Sequence, residues 1–525
     1  MMESTNQVVH QGGTLGAWLL QALQRHPDRI AVVDESRSVT YRELLALVTR
    51  AAYKLEECGL KKGDVVAQLS GNRIEVLAVM AAAYIRGFCS VTLHPMGSVQ
   101  DHLLTLQDCR ARMLIGEEAY VARLGAELSQ CPQLEKCFLH DDAASGFWSG
   151  EAPSAGQRLY QRGGPESIIR LAYTGGTTGR SKGVMLSNRA MLHNAQLWLS
   201  ALAWPDGVRT LCSAPISHGA GSLIYPTLAR GGTVVLERGF EVGRWLRTVQ
   251  RERIEFTFIV PTMLYALLDD PRTVAADLSS LKALVYGAAP ATPARIRQAL
   301  DCFGPVMVQT FGQSEAPNTI LLLDQQDHQH ADDRRLASAG RPFPGLDVAL
   351  LDEQNTPVAA GEIGEICIRG PLVMSGYWGQ EEQSAQALSG GWLHTGDMAM
   401  QDDQGYFYIV DRKKDMVISG GFNVYAREVE DVLCSHPDVR QAAVIGVPDE
   451  KWGEAVLAVV VTRSGASPDP AQLQLLVRES KGPISTPKHV VYASELPVTG
   501  LGKVDKKALR QRFANGVPKP AVAAE

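Results

Sequence analysis

A loop rich in hydrogen-bond donors lies between two apolar segments and limits the folds open to this chain. Leu171–Gly183 reads LAYTGGTTGRSKG, with three glycines and three threonines ahead of one lysine. The apolar runs Ile168–Tyr173 and Val184–Leu186 flank the loop and are typical of short strands. Ser187 follows as a candidate cap for a helix beginning near Asn188. The sequence therefore predicts a donor-rich loop held by strands.

The chemistry of this loop suits a polyphosphate. Glycine lets backbone N–H groups turn toward an anion, while the threonine hydroxyls and the Lys182 ammonium add donors and positive charge. The alternative is a plain surface turn, because clusters of Gly, Ser and Thr are usually only loops. The combination of threonines with a lysine favours the phosphate interpretation.

Two familiar motifs do not fit this loop. A Walker A loop places its lysine directly after the last glycine, but here Arg180 and Ser181 separate Gly179 from Lys182. The letters GRSKG satisfy the GxSxG pattern of serine hydrolases, which needs its serine on a sharp turn from strand to helix. Ser181 instead comes late in a long loop and precedes another strand-like run. Neither a P-loop ATP hydrolase nor a serine hydrolase is favoured.

Length, charge and cysteine content narrow the class of protein. A chain of 525 residues is too long for one ordinary core, so two or more domains are expected. The net charge of −6 argues against a nucleic-acid binder. Nine scattered cysteines without a CxxC pair indicate reduced, mostly buried thiols. There is no signal-peptide pattern and no apolar run of about 18 residues, so we expect a cytoplasmic protein, with peripheral membrane contact left open.

Helix and strand patterns alternate through most of the chain, which predicts an α/β fold. Thr40-Tyr41-Arg42-Glu43 has capping-box spacing and opens a periodic helix that stops near Gly59. The next predicted elements are the strand Asp64–Ser70, the helices Asn72–Arg86 and Ser98–Cys109, and the strand Arg112–Ile115. From Gly345 the pattern changes to short strands and turns, and a small α+β unit closes the chain.

Three further loops follow strand-like runs and carry candidate functional residues. His218 stands before Gly219-Ala220-Gly221, in a bend expected to face a cavity, although a lone histidine is more often structural. Leu281–Pro290 ends in small residues that let a flat ligand lie against backbone. Val306–Glu315 ends in an acid, which is either a solvated loop glutamate or a Mg²⁺ ligand shared with phosphates.

The last third of the chain contains three motifs with weaker individual meaning. WLHTGD places Asp397 after a predicted Thr-Gly turn, DRKKDMVISGGFN begins with a charge cluster, and PVTGLGK ends at Lys503. Taken alone, each is more simply a turn aspartate, a solvated charged face and a surface lysine.

Together these motifs resemble, in order, those of the acyl-adenylate-forming superfamily: acyl-CoA synthetases, adenylation domains of peptide synthetases, and luciferases. The usual phosphate loop is YTSGTTGxPKG, and here Gly175 replaces the serine and Ser181 the proline. In the YGxTE motif Phe311 replaces tyrosine, which keeps stacking and loses a hydroxyl, and Ser314 replaces threonine. Leu501 stands where a small residue is more usual.

The resemblance implies a nucleotide site and a catalytic set. The implied nucleotide-binding residues are Thr174, Gly175, Gly176, Thr177, Thr178, Gly179, Lys182, Gly287, Ala288, Ala289, Phe311, Gly312, Ser314, Asp397 and Arg412, the last two on the ribose. The implied catalytic residues are Lys503, Glu315 as the metal ligand, and His218 as a gate for the thiol channel. The implied acyl-pocket residues are His218, Gly219, Ala220, Gly221 and Gly312.

The resemblance also implies two domains and two half-reactions. A large N-terminal domain, 1–411, would contain layered α/β subdomains and a β-rich part, and a small mobile lid, 412–525, would turn about Lys414. Turning the lid would withdraw Lys503 and bring the CoA-channel residues Ser419, Gly420 and Gly421 to the thiol. Mg²⁺ is the implied cofactor, with ATP and CoA as co-substrates.

Some alternatives stay open at this point. The leading hypothesis is an acyl-CoA synthetase acting on a fatty or aryl acid, and the nearest rival is an acyl-AMP ligase that loads a carrier protein. Family members that load a carrier protein often carry an insertion that packs against the lid. We see no such insertion near Pro344–Leu372, which mildly favours CoA. A non-catalytic nucleotide-binding protein is disfavoured by Lys503 and Glu315, and a homodimer is possible. The acid cannot be read from sequence, although the small residues at 219–221 and 287–289 suggest a roomy pocket.

Overall fold

The computed structural model describes residues 13–141, 146–149, 158–174, 181–329, 331–413, 415–419, 422–449, 452–463, 466, 468–498 and 504–514. The chain forms two compact units. The first contains Met1–Val348, Cys367–His394 and Gly405–Phe407, and the second contains Ala349–Ile366, Thr395–Gln404 and Tyr408–Glu525. Each unit is therefore assembled from segments that are separated in sequence.

The strands form four sheets in the described part of the chain. Those of the first half are β1 Ile30–Val33, β2 Ser38–Thr40, β3 Val65–Leu69, β4 Cys89–Leu93, β5 Met113–Gly116, β6 Lys136–Leu139, β7 Ile168–Thr174, β8 Lys182–Ser187, β9 Arg209–Cys212, β10 Thr233–Leu236 and β11 Phe256–Ile259. Those of the second half are β12 Ala283–Gly287, β13 Met307–Gln313, β14 Ala316–Leu323, β15 Arg341–Pro342, β16 Asp347–Leu351, β17 Gly364–Arg369, β18 Leu393–Gln401, β19 Phe407–Arg412, β20 Val417–Ser419, β21 Phe422–Val424, β22 Val439–Asp449, β23 Gly453–Thr462 and β24 His489–Tyr492.

The helices alternate with these strands, as the sequence pattern predicted. They are α1 Leu15–Arg25, α2 Tyr41–Glu57, α3 Ile74–Arg86, α4 Val99–Asp108, α5 Glu118–Val121, α6 Asn188–Ala201, α7 Ile224–Ala229, α8 Val242–Glu252, α9 Pro261–Asp269, α10 Arg272–Ala275, α11 Pro293–Phe303, α12 Gln325–Gln329, α13 Asp333–Leu336, α14 Glu381–Ala387, α15 Ala426–Cys434, α16 Pro470–Ser485 and α17 Lys506–Arg512. Short 3₁₀ helices cover Gly125–Gln130, Gly219–Leu223 and Ser389–Gly391.

Capping side chains set where two of the predicted helices begin. The Thr40 hydroxyl accepts from the Glu43 N–H while the Glu43 carboxylate accepts from the Thr40 N–H, so the predicted capping box opens α2. Ser187 Oγ accepts from the Ala190 N–H at 3.2 Å and begins α6 at the predicted residue. Both caps fix the direction in which a helix leaves a strand.

Two large sheets build the first unit. A nine-stranded sheet has the order β15-β14-β13-β12-β11-β9-β10-β1-β2, and a six-stranded sheet has the order β6-β5-β3-β4-β7-β8. Strands β9, β11, β12 and β13 run parallel, so the loops that leave their carboxyl ends share one edge of the sheet. Ligands bind at such edges in open α/β sheets. The loops that carry His218, Gly287 and Glu315 leave β9, β12 and β13 at this edge.

Apolar side chains fill the space between sheets and helices in the first unit. One core cluster packs Trp245 and Val249 of α8 with Ile259 of β11 and Tyr286 of β12, all nearly inaccessible to solvent. A second cluster packs residues of β3, β4 and β5 against α4. Burial of a large apolar side chain stabilises a fold by about 1.5–3 kcal/mol, so these clusters hold the strand ends in place.

The second unit contains a small sheet with a core on each face. Strands lie in the order β21-β20-β23-β22, and β24 pairs with β23. Along β23, Val456, Ala458 and Val460 belong to one apolar cluster, and the residues between them belong to another. This period of two is that of a strand buried on both faces. A further sheet has the order β16-β17-β18-β19.

The sequence-based expectations about cysteines and membrane-spanning segments can be compared with the structure. Most of the nine cysteines are buried, as predicted. Among the described residues, no helix is both long enough and apolar enough to span a bilayer.

Candidate functional site

Strands β7 and β8 hold the two ends of the donor-rich loop. They pair antiparallel, and Thr174 at the end of β7 lies opposite Lys182 at the start of β8. The loop residues Gly175, Gly176, Thr177, Thr178 and Gly179 lie outside the described residues. Ser181 is followed by a strand rather than a helix, which is inconsistent with a serine-hydrolase elbow.

Lys182 and Glu315 meet on one tyrosine. Tyr377 Oη donates a hydrogen bond to Glu315 Oε1 at 2.8 Å. Lys182 Nζ lies 4.7 Å from the centre of the Tyr377 ring, within the distance of a cation–π interaction. The structure therefore gathers the loop lysine and the predicted metal ligand on one side chain, which the sequence did not single out.

A short backbone segment, residues 374–378, links the same two elements; we call it the strap. The Met374 N–H donates to the Glu315 carbonyl at 2.8 Å. The Ser375 N–H donates to the Met185 carbonyl at 2.9 Å, and the Trp378 N–H donates to the Gly183 carbonyl at 2.8 Å. Hydrogen bonds from one segment thus fix both the turn with Glu315 and the strand with Lys182.

Glu315 lies in the two-residue turn between β13 and β14, just past a strand end as predicted. A partly exposed carboxylate at a turn suits Mg²⁺, because proteins usually bind this ion by one or two carboxylates together with substrate phosphates and water. Glu315 thus fits the metal role that the resemblance implied. Tyr377 donates to Oε1, and Oε2 would remain available to a metal ion.

The predicted adenine-binding residues lie at the ends of β12 and β13. Gly287 ends β12, and a Cβ there would lie 2.4 Å from the Thr310 carbonyl oxygen, so only glycine fits. Ala288 has a φ of +66°, and Ala288 and Ala289 are exposed. Phe311 is half-buried at the end of β13. The backbone at 288–289, next to the buried Gly287, is therefore accessible to a flat ligand.

His218 lies on the surface of its loop and contacts a second histidine. Its ring meets the His94 ring edge to face, with centroids 5.5 Å apart, and its Nδ1 lies 2.8 Å from Ser217 Oγ. The Arg170 guanidinium, on β7, donates to the Ser217 carbonyl. The predicted gate histidine is thus tied to the strand that leads into the donor-rich loop.

Close packing explains why glycine stands at three positions of the predicted acyl pocket. A Cβ on Gly221 would lie 2.1 Å from the Ile216 carbonyl oxygen, and one on Gly219 would lie 2.8 Å from the Phe258 ring. A Cβ on Gly312 would lie 2.5 Å from the Asn318 backbone. Ala220 is also buried. These glycines are therefore no evidence of open space, and the roomy pocket stays a prediction.

Asn72 is a second residue that the sequence did not reveal. Its buried side-chain amide donates to the carbonyl oxygens of Ala214 and Glu237, both at 2.9 Å, and lies 3.3 Å from that of Cys212. Its Oδ1 accepts from the Ile216 N–H at 3.0 Å. Asn72 thus fixes the start of the His218 loop.

The two predicted ribose residues pair with each other in the second unit. Arg412 Nε donates to Asp397 Oδ1 at 3.1 Å; the Asp397 side chain is 6% exposed and that of Arg412 is 50% exposed. Asp397 lies within β18 rather than after a turn, although Gly396 has a φ of +73°. Here β18 continues through Gly396, whose N–H donates to Glu365 Oε1 and whose carbonyl accepts from the Lys413 N–H.

A buried acid stands beside that pair in sequence. Asp411 accepts from the N–H groups of Arg412 at 2.7 Å and Arg427 at 3.1 Å. Burial raises the pKa of the Asp411 carboxyl, and the positive charge of Lys506 opposes that rise. The charged segment that begins at Asp411 therefore contains one buried structural acid next to exposed basic residues.

The remaining predicted residues lie partly outside the described residues. Lys503, Lys414, Gly420 and Gly421 are among those outside. Ser419 is buried and pairs with Phe422 across the β20–β21 hairpin. Val498 and Val504 pair across the segment that contains Lys503, and the Asp505 N–H donates to the Pro497 carbonyl at 2.8 Å. These bonds join the two ends of the predicted Lys503 turn.

Local signals account for which residues the sequence revealed. Glu315 and Lys182 stand at strand ends in recognisable motifs. Tyr377 lies far from both in sequence, in the unremarked letters SGYWG, and its partners exist only after folding. The aromatic pair beside a glycine was the one available signal.

Comparison with known proteins gives consistent matches along most of the chain. A family model described as AMP-binding enzyme matches residues 19–378, and one described as AMP-binding enzyme C-terminal domain matches residues 428–503. The chain is 41% identical over 518 residues to the medium/long-chain-fatty-acid–CoA ligase FadD8 of Mycobacterium tuberculosis, covering 95% of this chain and 90% of the relative. It is 38% identical over 505 residues to feruloyl-CoA synthase of Amycolatopsis sp, covering 95% of this chain and 99% of the relative.

A solved structure matches the fold over nearly the same length. The amide bond synthetase McbA from Marinactinospora thermotolerans superposes with a TM-score of 0.87 at 35% identity, covering 95% of this chain and 99% of that chain. The predicted α/β class, with a large first domain and a small final one, is confirmed.

Proposed function

This chain belongs to the AMP-binding enzyme family, and we propose that it is an ATP-dependent acyl-CoA synthetase. In the first step a carboxylate oxygen of the acid attacks the α-phosphorus of ATP. The bond from that phosphorus to the bridging oxygen breaks, and pyrophosphate leaves. In the second step the CoA thiolate attacks the acyl carbon, the bond from that carbon to the phosphate oxygen breaks, and AMP leaves. The thiol proton passes to solvent.

One observation carries the proposal: Lys182 and Glu315, far apart in sequence, meet on Tyr377. Two anions must approach each other in the first step, so the site has to offset negative charge. Lys182 and the donors of its loop bind the phosphates in this proposal, and Lys503 stabilises the charge that develops between the carboxylate and the α-phosphate. Glu315 would hold Mg²⁺, which supplies positive charge shared with the phosphate oxygens.

The nucleoside is assigned to residues that suit its chemistry. The backbone at 287–289, which is exposed at Ala288 and Ala289, and the Phe311 ring receive the adenine. Asp397 accepts hydrogen bonds from the ribose hydroxyls, and Arg412 holds its carboxylate in position. The Asp397–Arg412 hydrogen bond at 3.1 Å supports this pairing of roles.

The two steps need different neighbours, and we propose that one part of the chain turns between them. The boundary lies between residues 411 and 412, the hinge is Lys414, and Ser419, Gly420 and Gly421 line the CoA channel in the second step. His218 gates that channel, beside the acyl-pocket residues Gly219, Ala220, Gly221 and Gly312. The Val498–Val504 pairing supports a turn that presents Lys503.

The acid is proposed to be a fatty or aryl acid, because the relatives are named as a fatty-acid–CoA ligase and a feruloyl-CoA synthase. CoA is favoured as the acceptor over a carrier protein for the same reason. The location is proposed to be cytoplasmic, because nine cysteines without a disulfide are typical of proteins in a reducing compartment.

A panel of fatty and aryl acids with ATP, Mg²⁺ and CoA, read by mass spectrometry, tests the proposal directly. We expect acyl-AMP and then acyl-CoA from at least one of these acids. Thioester formed only on an added carrier protein, or no acid-dependent pyrophosphate release, contradicts it.

Two variants then separate the roles. Lys503→Ala should lower adenylation by several orders of magnitude and still convert supplied acyl-AMP and CoA to thioester. The matched control Lys507→Ala, an exposed lysine of α17, should keep both steps. Glu315→Ala should weaken Mg²⁺-dependent pyrophosphate release, and excess Mg²⁺ should restore part of it. Equal loss of both steps in Lys503→Ala would contradict its assignment to adenylation.

A further inference from the structure

We propose that Tyr377 is a positioning residue of the adenylation site, whose hydroxyl orients Glu315 for Mg²⁺ and whose ring holds Lys182 beside it. This inference rests on the proposed function, because it assigns Tyr377 to the metal and phosphate groups of that reaction. No sequence motif used above includes Tyr377. Three independent observations carry the inference: a side-chain hydrogen bond, a ring contact and a fixed backbone.

The hydroxyl restricts the Glu315 carboxylate. Tyr377 Oη donates to Oε1 at 2.8 Å, and the Tyr377 side chain is buried. A carboxylate that has one oxygen hydrogen-bonded to a buried donor loses rotational freedom and presents its other oxygen in a defined direction. Groups that bond to a metal ligand in this way tune metal affinity, and their loss typically weakens metal binding roughly ten- to hundredfold.

Tyr377 is the donor in this hydrogen bond. A phenolic hydroxyl has a proton to donate, whereas an ionised carboxylate offers only acceptor oxygens. The bond therefore runs from the tyrosine hydroxyl to the Glu315 carboxylate.

The ring of the same residue faces Lys182. Lys182 Nζ lies 4.7 Å from the ring centre, where the negative face of an aromatic ring attracts an ammonium group. Lys182 also begins β8, so its backbone is set by the sheet. The ring thus limits where the flexible side chain of this lysine rests before phosphate binds.

Hydrogen bonds of the strap fix the position of Tyr377. The Tyr377 N–H donates to Ser384 Oγ at 2.8 Å, and Ser384 Oγ donates to the Gln380 carbonyl at 2.6 Å. Gly376 has a φ of +132°, and a Cβ there would lie 3.0 Å from Ser384 Oγ. A side chain at position 376 would be strained, and the hydrogen bond from the Tyr377 N–H to Ser384 holds the backbone of Tyr377 in the strap.

Direct metal binding tests the hydroxyl. The probe is Mn²⁺ with α,β-methylene-ATP, and free Mn²⁺ is followed by its electron paramagnetic resonance signal. Tyr377→Phe keeps the ring and should weaken Mn²⁺ binding about tenfold or more. The matched control is Tyr41→Phe, which removes a buried hydroxyl that contacts the Leu228 and Gly232 carbonyls in the same unit. This control should bind Mn²⁺ like wild type.

A double variant shows whether Tyr377 acts through Glu315. Glu315→Ala combined with Tyr377→Phe should bind Mn²⁺ no more weakly than Glu315→Ala alone, because the hydroxyl then has no carboxylate to orient. Additive losses, or wild-type binding by Tyr377→Phe, overturn the proposal. If Tyr377 had only a structural role, Tyr377→Phe and Tyr41→Phe would both lower the melting temperature. The effects of Tyr377→Phe and Glu315→Ala on Mn²⁺ binding would then be independent of each other.

Nucleotide binding without metal tests the ring. In EDTA, Tyr377→Phe should bind α,β-methylene-ATP like wild type, whereas Tyr377→Leu should bind it several-fold more weakly because Lys182 loses its support. Equal affinities of the Phe and Leu variants overturn the role of the ring. Because these assays need no acid, failure of acid-dependent pyrophosphate release would count against the proposed reaction alone. Absence of Mn²⁺ binding by wild type would overturn both.

Discussion

Replacing Asn72 by alanine should destabilise the first unit more than most single substitutions. The two amide protons of Asn72 serve the carbonyl oxygens of Ala214, Glu237 and Cys212, and its Oδ1 accepts from the Ile216 N–H. These contacts amount to about three hydrogen bonds, each worth about 1 kcal/mol net. We therefore expect a loss of about 3 kcal/mol in the free energy of unfolding.

The expected loss converts to a measurable shift in melting temperature. Unfolding entropy is about 2.1 cal/mol/K per residue, so for a unit of roughly 380 residues a loss of about 3 kcal/mol lowers the melting temperature by about 4 °C. Urea unfolding and calorimetry give the two quantities independently. Gln133→Ala, which truncates an exposed amide in the same unit, should stay within about 0.5 kcal/mol of wild type.

A second variant at the same site sharpens this test. Asn72→Asp keeps the acceptor for the Ile216 N–H but sets a negative charge against carbonyl oxygens, so it should destabilise more than Asn72→Ala at neutral pH. A loss below about 1 kcal/mol for Asn72→Ala, or a more stable aspartate variant, would refute the reasoning. Either result would mean that the four backbone groups are satisfied without the amide.

Two further predictions concern stability. Burial, followed by the positive charge of Arg73, lowers the pKa of His140 from 6.5 to about 4. The unfolded chain therefore binds a proton that the folded protein excludes. The free energy of unfolding should fall by at most about 3 kcal/mol as the pH drops from 6.5 to about 4. His140→Gln should flatten the plot of unfolding free energy, measured in urea, against pH, and an unchanged slope would exclude His140 as its source. Gly221→Ala should lower the free energy of unfolding by about 1–3 kcal/mol, because its Cβ would lie 2.1 Å from the Ile216 carbonyl oxygen. The control Gly239→Ala, whose Cβ has no atom within 4 Å, should leave stability unchanged. Equal stabilities of the two variants by calorimetry would contradict this prediction.

Sequence alone predicted the features that depend on near neighbours. The Thr40 capping box and the Ser187 cap involve residues three positions apart, so each helix begins where its cap predicts. The alternation of helices and strands gave the α/β class, and the position of Glu315 past a strand end followed from one apolar run. Periodicity and caps are properties of adjacent residues, which a sequence displays.

The features that sequence could not reveal depend on contacts between distant segments. Tyr377 and Asn72 are an ordinary tyrosine and an ordinary asparagine until folding brings them to Glu315 and to the strand ends at 212–216. The small residues at 219–221 were interpreted as pocket space because a sequence does not show which backbone lies against each glycine. The same limit concealed that Asp397 lies inside a strand.

The interleaved order of the two units determines which segments of this chain can be exchanged with those of related proteins in a chimaera. The chain returns to the first unit at Cys367–His394 and Gly405–Phe407, so a chain truncated at 348 lacks Tyr377. A graft of 412–525 from another protein leaves Asp397 with the recipient but imports the residue at 412. The hydrogen bond between these two positions then survives only if the donor carries arginine there. The Lys413–Glu365 ion pair and the bond from the Arg427 N–H to Asp411 cross the same boundary. Exchange of the C-terminal piece therefore depends on several matched contacts on the two sides of residue 412.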